Sequence, residues 1–309
     1  MWRVYLPVAG ADTSILLLLG LGGGVGFLSG LFGVGGGFLM TPALMMAGIP
    51  PTVAAASDSN QIVAASTSGT YAHYRMGNVD FKMGGFLLLG GLLGGGLGVQ
   101  VIRVLRMMGN ADIVIRLTYV LMLGWIGSYM FVESLQSMRR KDAAGVTRTE
   151  RARPGFYRRL VQGLPWKMKF DKCGVTVSPI LPILLGGLVG ILAAIMGVGG
   201  GFIMVPVMVY LLRMPMHVVV GTSLFQVLFT CINVTIMQAV TNFTVDLVLA
   251  LVLLLGSSLG AQLGARLSHR LRADQLKILL ASIVLLVMLQ MLVSLLLPPK
   301  LLLVHKGGH

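Results

Sequence analysis

Long stretches of this chain are apolar with hardly a polar interruption: residues 83–102, 112–132, 245–265 and 278–297. Each approaches the ~20 residues a helix needs to cross the ~30 Å hydrocarbon layer of a bilayer. Two further stretches, 53–75 and 217–240, keep an apolar majority but carry polar side chains at helical spacing. In the second, Thr222, Gln226, Thr230, Asn233 and Met237 recur at steps of three and four, which is one face of a helix. In the first, Ser57, Gln61 and Ser68 lie on a comparable face with Asp58 beside it. The remaining hydrophobic segments, 14–49 and 179–213, are broken by glycine. The pattern predicts an all-α polytopic membrane protein.

The glycine breaks repeat. FGVGGGFLMTP at 32–42 returns as MGVGGGFIMVP at 196–206, although each glycine weakens a helix by roughly 1 kcal/mol relative to alanine. At the same offset Pro42 falls on Pro206, Pro51 on Pro215, Ser59 on Ser223 and Asn78 on Asn242. Two residues further on, Gly90, Gly94 and Gly98 match Gly256, Gly260 and Gly264, a small-xxx-small ladder that lets membrane helices approach closely. The chain therefore reads as two homologous halves, 14–135 and 178–297, joined by a segment 136–177. Each half is a broken segment followed by three spans: 53–75, 82–105 and 112–135, then 217–240, 245–267 and 275–297. A broken segment of roughly 35 residues is too long for one ~20-residue crossing and about right for a re-entrant hairpin. The expected arrangement is inverted repeats, with a single kinked crossing and parallel repeats as the alternative.

Composition and charge sharpen this picture. Of 309 residues, 56% are hydrophobic and 11% charged, against about 25% charged in soluble domains. The net charge of +14 is concentrated, with eleven of the 24 Lys and Arg between Arg139 and Lys172. Such a loop belongs in the cytoplasm, which implies a multi-pass protein of the cytoplasmic (inner) membrane whose partner is the lipid bilayer. Part of the loop, 156–170, has the composition to lie on an anionic membrane surface or to stay solvated. No nucleic-acid motif accompanies the charge, so nucleic acid is not an expected partner. The two cysteines, Cys173 and Cys231, lack metal-ligand spacing, and no metal or cofactor is expected. The glycine motif lacks the third glycine and the βαβ setting of a dinucleotide site, and no P-loop is present. Oligomeric state is not encoded in any recognisable pattern.

Candidate chemistry centres on the breaks. Gly35, Gly36 and Gly37 precede the apolar run Phe38–Met46, and Gly199, Gly200 and Gly201 precede Phe202–Leu212. Free N–H groups at a helix start bind anions, and in inverted-repeat transporters such starts meet near the midplane. The competing reading is that the glycines only permit tight packing. Ser59, Gln61, Thr222, Ser223, Gln226 and Asn233 follow as candidate substrate contacts, with interhelical hydrogen bonding as their alternative. Asp58, an acid inside a span, is a functional candidate by default: it could carry a coupling proton, cap the helix from Thr52, or pair with an arginine. His73 and Arg75 could draw an anion towards the pathway or simply mark the membrane edge. Asp80 and Asp246 are expected helix caps, and Asn78 and Asn242 turn residues. A membrane enzyme would need an intramembrane catalytic cluster, and Asp58 has no basic partner nearby in sequence.

The doubled G-V-G-G-G-F-[LI]-M-x-P, the Gly221-Thr222-Ser223-Leu224 stretch and the H-x-R-x-G-N-V-D at 73–80 resemble the sulfite exporter TauE/SafE family over nearly the whole chain outside the basic loop. The resemblance implies a secondary transporter of a small sulfur-containing anion, sulfite or an organosulfonate, moved outward. A passive anion channel and a non-transporting membrane partner subunit are the alternatives. One departure is Ser57-Asp58-Ser59-Asn60 where the second half has Gly221-Thr222-Ser223-Leu224.

Overall fold

The computed structural model describes residues 3–32, 37–143, 168–170, 172–212, 214–268 and 273–296. A β-hairpin, β1 (Arg3–Leu6) and β2 (Ala11–Ser14), leads into α1 (Ile15–Phe32). After the first glycine break come α2 (Gly37–Met46), α3 (Pro51–Arg75), α4 (Phe81–Met107) and α5 (Ala111–Ala143). A second hairpin, β3 (Met168–Phe170) and β4 (Val175–Val177), precedes α6 (Ile180–Met196). Beyond the second break lie α7 (Gly201–Pro206), α8 (Met216–Met237), α9 (Leu247–Ser268) and α10 (Ala273–Leu296). α7 and α8 each continue into a π turn, Val207–Leu211 and Gln238–Asn242. Among the described residues, five helical segments are long and apolar enough to cross a bilayer: Phe81–Met107, Ala111–Val132, Val218–Asn242, Leu247–Gly264 and Leu279–Leu296.

Two features differ from expectation. The helix expected to end at 135 runs to Ala143, and the segment 136–177 ends in the β3–β4 hairpin. Both hairpins turn on a glycine with positive φ, Gly10 at 61° and Gly174 at 65°. Each rests on the start of a long helix. The Val8 N–H donates to Asp246 Oδ2, and Lys172 Nζ donates to the carbonyl of Val79 at 3.1 Å, just before α4. A hairpin of three or four residues per strand is too short for hydropathy to reveal.

Helix ends follow local chemistry. Asp80 caps α4 by accepting from the Lys82 and Met83 amides, at 3.0 and 3.1 Å, and Asp246 caps α9 through the Leu249 amide. Both act as caps, as their positions suggested. Along α4, Leu89, Leu93 and Leu97 are exposed, as are Leu251, Leu255, Leu259 and Leu263 of α9. Leucines four apart on an outward face suit lipid, which makes this a multi-pass membrane protein. An arginine at 93 in that face carries a cost of about 2.5–3.5 kcal/mol at mid-bilayer. Leu93→Arg will therefore cut the protein recovered in the membrane fraction severalfold, and Leu93→Ala will not.

The opposite faces carry the glycine ladders. A Cβ added at Gly90 or Gly94 would lie 1.9 or 2.0 Å from the carbonyls of Ile183 and Gly187 in α6, and at Gly260 2.0 Å from that of Gly23 in α1. Only glycine permits these seams, where the helices touch backbone to backbone. Gly90, Gly94 and Gly98 meet Ile183, Gly187 and Ile191 in ascending order, so α4 and α6 run parallel. Gly22 and Gly23 of α1 meet Leu253 and Gly256 of α9, and Phe27 meets Gly260, also in ascending order. α3 and α8 run antiparallel, with Gly69 on Leu224 and Ile62 clustered with Val227 and Cys231. α5 and α10 are antiparallel too: Arg116 reaches Ser294, Gly124 faces Met288 and Gly127 faces Val284.

Candidate functional site

The two glycine breaks meet in the interior. Gly37, the first residue of α2, faces the backbone of Val198 and the Ile62 side chain of α3. One residue on, the rings of Phe38 and Phe202 stack with centroids 4.5 Å apart and planes 19° from parallel. The second break is left-handed at Gly197, Gly199 and Gly200, with φ of 74°, 68° and 77°. Gly197 ends α6 and lies against the Ala55 backbone, while Gly199 faces Cys231 and Val227 of α8. Ile62 and Cys231 both lie well inside their helices, so the breaks pack against helix interiors rather than helix ends. Gly201 opens α7, whose Ile203 and Met204 amides donate to the Gly200 carbonyl. Gly35 and Gly36 lie outside the described residues.

Several polar groups surround this junction. Asp58 is fully buried on α3, and its Oδ2 accepts a hydrogen bond from Thr41 Oγ1 of α2 at 2.8 Å. Its Oδ1 has no partner among the described residues. Among the described residues, Asp58 makes no bond to the start of its helix and has no arginine partner. Ser59 Oγ lies 3.2 Å from the carbonyls of Ala55 and Gly197, tying α3 to the second break. Tyr119 of α5, also buried, donates to the Met196 carbonyl where α6 ends. Thr41 and Tyr119 were not legible beforehand. Thr41 matches Val205 in the second half, so the repeat gives no signal for it, and Tyr119 sits in an otherwise ordinary apolar span.

The polar stripe of α8 borders the junction, since Gln226 precedes the Val227 that packs on Gly199, and it turns towards α4. Thr222 Oγ1 accepts from the Asp80 amide at 3.0 Å, Asn233 Nδ2 donates to the Leu92 carbonyl, and Gln226 lies against Gly91 and donates to Thr230 at 2.9 Å. The structure thus sets this face against α4. Ser223 donates to Val220 of its own helix. The buried amide oxygens of Gln61 and Gln226 have no partner among the described residues. Ser57 Oγ accepts from the Asp246 amide as Thr222 accepts from that of Asp80. This reciprocity pairs Ser57 with Thr222 and Gln61 with Gln226, one residue off the alignment of Ser59 with Ser223. In that register Asp58 stands where the second half has Ser223.

At the far end of α3, His73 is half-buried with Nδ1 unpartnered among the described residues, and Arg75 is exposed, its guanidinium 6.0 Å from the Tyr71 ring centroid. Neither reaches the junction. The Asp80 carboxylate also accepts from Cys173 Sγ at 2.9 Å. Burial, with the Asp80 carboxylate beside it, pushes the Cys173 thiol well above the ordinary thiol range. No group of three or more metal-ligating side chains occurs among the described residues.

Comparison with known proteins gives a consistent answer. The family described as "Sulfite exporter TauE/SafE" matches residues 17–291. A Bacillus subtilis protein named "Probable membrane transporter protein YunE" is 27% identical over 69% of this chain and 73% of its own. A Xylella fastidiosa protein named "Probable membrane transporter protein" is 42% identical, over 24% of this chain and 28% of its own. "Sulfite exporter TauE/SafE family protein 5" of Arabidopsis thaliana is 33% identical over 29% of this chain and 20% of its own. No solved structure matches the chain significantly.

Proposed function

We infer, from the fact that this chain belongs to the sulfite exporter TauE/SafE family, of membrane transporters and not enzymes, that it exports a small sulfur-containing anion by secondary transport. The substrate is of the sulfite or organosulfonate class, and it binds where the two glycine breaks meet. Gly35, Gly36 and Gly37 and Gly199, Gly200 and Gly201 offer backbone N–H groups, Ser59 a hydroxyl, and Gln61 and Gln226 their amides. Asp58 carries the coupling proton. The observation that carries this reading is the contact of Gly37 and Phe38 with Val198 and Phe202 beside a buried carboxyl whose second oxygen is unpartnered.

The run of the helices supports two inverted halves in the inner membrane. α3 and α8 occupy corresponding places in the two halves and run antiparallel, as do α5 and α10. A two-fold axis in the membrane plane reverses corresponding helices, whereas an axis along the normal leaves them parallel. α2 lies antiparallel to α3, with Gly37 at Ile62 and Thr41 at Asp58. That course supports a chain that enters along α1, turns at the glycines and leaves by the same side. The positive-inside rule then places the basic loop, the β3–β4 hairpin and the His73 end of α3 in the cytoplasm.

Thermal stability in detergent against sulfite, sulfate, thiosulfate, sulfoacetate and taurine, with acetate and chloride as controls, tests the substrate class. A ligand at ~100 times its Kd adds about 2.7 kcal/mol to stability. The expected result is a clear upward shift with one sulfur compound, lost when both Gln61 and Gln226 become leucine. A shift with acetate alone would overturn the sulfur reading.

A further inference from the structure

The face of α3 that carries Asp58 continues towards the basic-loop end with Ser66, Thr70 and His73, at helical steps of four and three beyond Ile62. Ser66 Oγ, Thr70 Oγ1 and His73 Nδ1 are all buried atoms without a partner among the described residues. Across the seam, Leu224 lies on Gly69, and Gly221 packs on the Asn78 carbonyl and the Cβ of His73. Between this track and Asp58, Ile62 is 1% exposed and packs with Val227 and Cys231 in a small cluster separate from the main core. The same Ile62 closes over Gly37 and Gly199. Beside the track is a recess of about 280 Å³ lined by Thr70, Tyr71, Tyr74, Phe81, Phe225 and Phe229, among others.

Buried polar atoms left without partners are costly, and they persist where another state of the molecule satisfies them. The corresponding end of α8 is different: Gln238 donates to the Ala194 carbonyl and accepts from Asn242 and Thr244. That end is tied by side-chain hydrogen bonds, whereas at the α3 end Ser66 Oγ, Thr70 Oγ1 and His73 Nδ1 have no partner among the described residues. Resting on the transport reading given above, we propose that the α3–α8 seam on the basic-loop side is the gate of the pathway. Ile62, seated on Val227 and Cys231, is its plug, and Ser66, Thr70 and His73 form the wall that water wets when it opens. Opening parts α8 from α3 and connects Asp58 and the glycine junction to that side alone.

Cysteine accessibility in the full-length protein tests this, in a Cys231→Ala background. Cys173, which stays buried with its thiol held protonated, remains silent. Ser66→Cys on one wall and Leu224→Cys on the other are exposed to a membrane-impermeant maleimide in right-side-out and inside-out vesicles. Ala144→Cys, in the basic loop, marks that loop's side. Labelling of both seam positions from the loop side only is expected. Ile62→Ala should speed it by roughly tenfold or more, because trimming a buried plug favours the open population. Labelling from the opposite side, or none from either side even with Ile62→Ala, would overturn the gate. Labelling needs no substrate, so this test and the anion panel fail independently.

Discussion

Asp58→Asn will bind an organosulfonate, whose own charge is constant from pH 5 to 8, with an affinity that no longer changes with pH, and it will lose transport driven by a pH gradient. The carboxyl lies on α3 beside the glycine junction, fully buried, with Thr41 on one oxygen and no partner among the described residues on the other. An ionised carboxylate there repels an anion at the breaks, and protonation removes the repulsion. On the proposed reading, proton and anion therefore favour each other's binding and travel together. Asparagine has the shape of the protonated acid and fixes that state, so Thr41 keeps an acceptor and folding is preserved. The wild type should bind the same sulfonate more weakly as pH rises and Asp58 loses its proton. It should accumulate the anion by about tenfold per unit of pH gradient, since ~1.4 kcal/mol is a factor of ten. The variant should show neither effect. A doubly charged anion moving with one proton still carries one net negative charge, which an interior-negative potential drives outward by ~2.3 kcal/mol per 100 mV, outweighing the ~1.4 kcal/mol per pH unit with which an acidic exterior draws the proton inward. Binding measured from pH 5 to 8, with flux in vesicles under an imposed gradient, decides it. A pH-dependent Asp58→Asn protein would remove Asp58 from the coupling role.

The second large effect is on stability. Gly197→Ala places a side chain on a residue whose φ is 74°, where a Cβ would lie 2.1 Å from the Ala55 carbonyl oxygen and 2.4 Å from its Cα. The left-handed backbone costs about 1–2 kcal/mol for a residue with a Cβ, and overpacking adds ~1–3 kcal/mol. Neither neighbour can yield cheaply, because both are backbone at the meeting of α3 and α6. The unfolding midpoint in detergent should fall by roughly 5 °C or more. Gly48→Ala is the control: its φ is 88°, with nothing within 4 Å of the added Cβ, so it carries the backbone cost alone and should fall much less. Equal losses in the two variants would mean that the break is not packed at Ala55.

How much of this was written in the sequence depends on the range of the interaction. Spans, turns and caps are local: a bilayer demands apolar runs of fixed length, and Asp80 and Asp246 sit immediately before the helices they cap. The glycine ladders were legible for a similar reason, since a Cβ-free stripe has few uses in a membrane helix besides close approach. The doubled break also announced itself, as did the oddity of Asp58 inside a span. Helical periodicity placed Thr222, Gln226, Thr230 and Asn233 on one face, but it carries no information about which neighbour that face meets. The fold turned it towards α4 and gave Thr222 and Asn233 backbone partners on α4 or just before it, at 3.0 and 3.3 Å. Only tertiary structure could bring Thr41 to Asp58, Tyr119 to Met196, or Phe38 to Phe202, because each pair joins different helices and nothing local in either partner encodes the other. The alignment register shows the same limit: matching residue types paired Ser59 with Ser223, whereas the hydrogen bonds to Asp80 and Asp246 pair Ser57 with Thr222. A sequence records which side chains share a helix face. What lies opposite them is set by how the helices dock, which glycine backbone and distant side chains decide together.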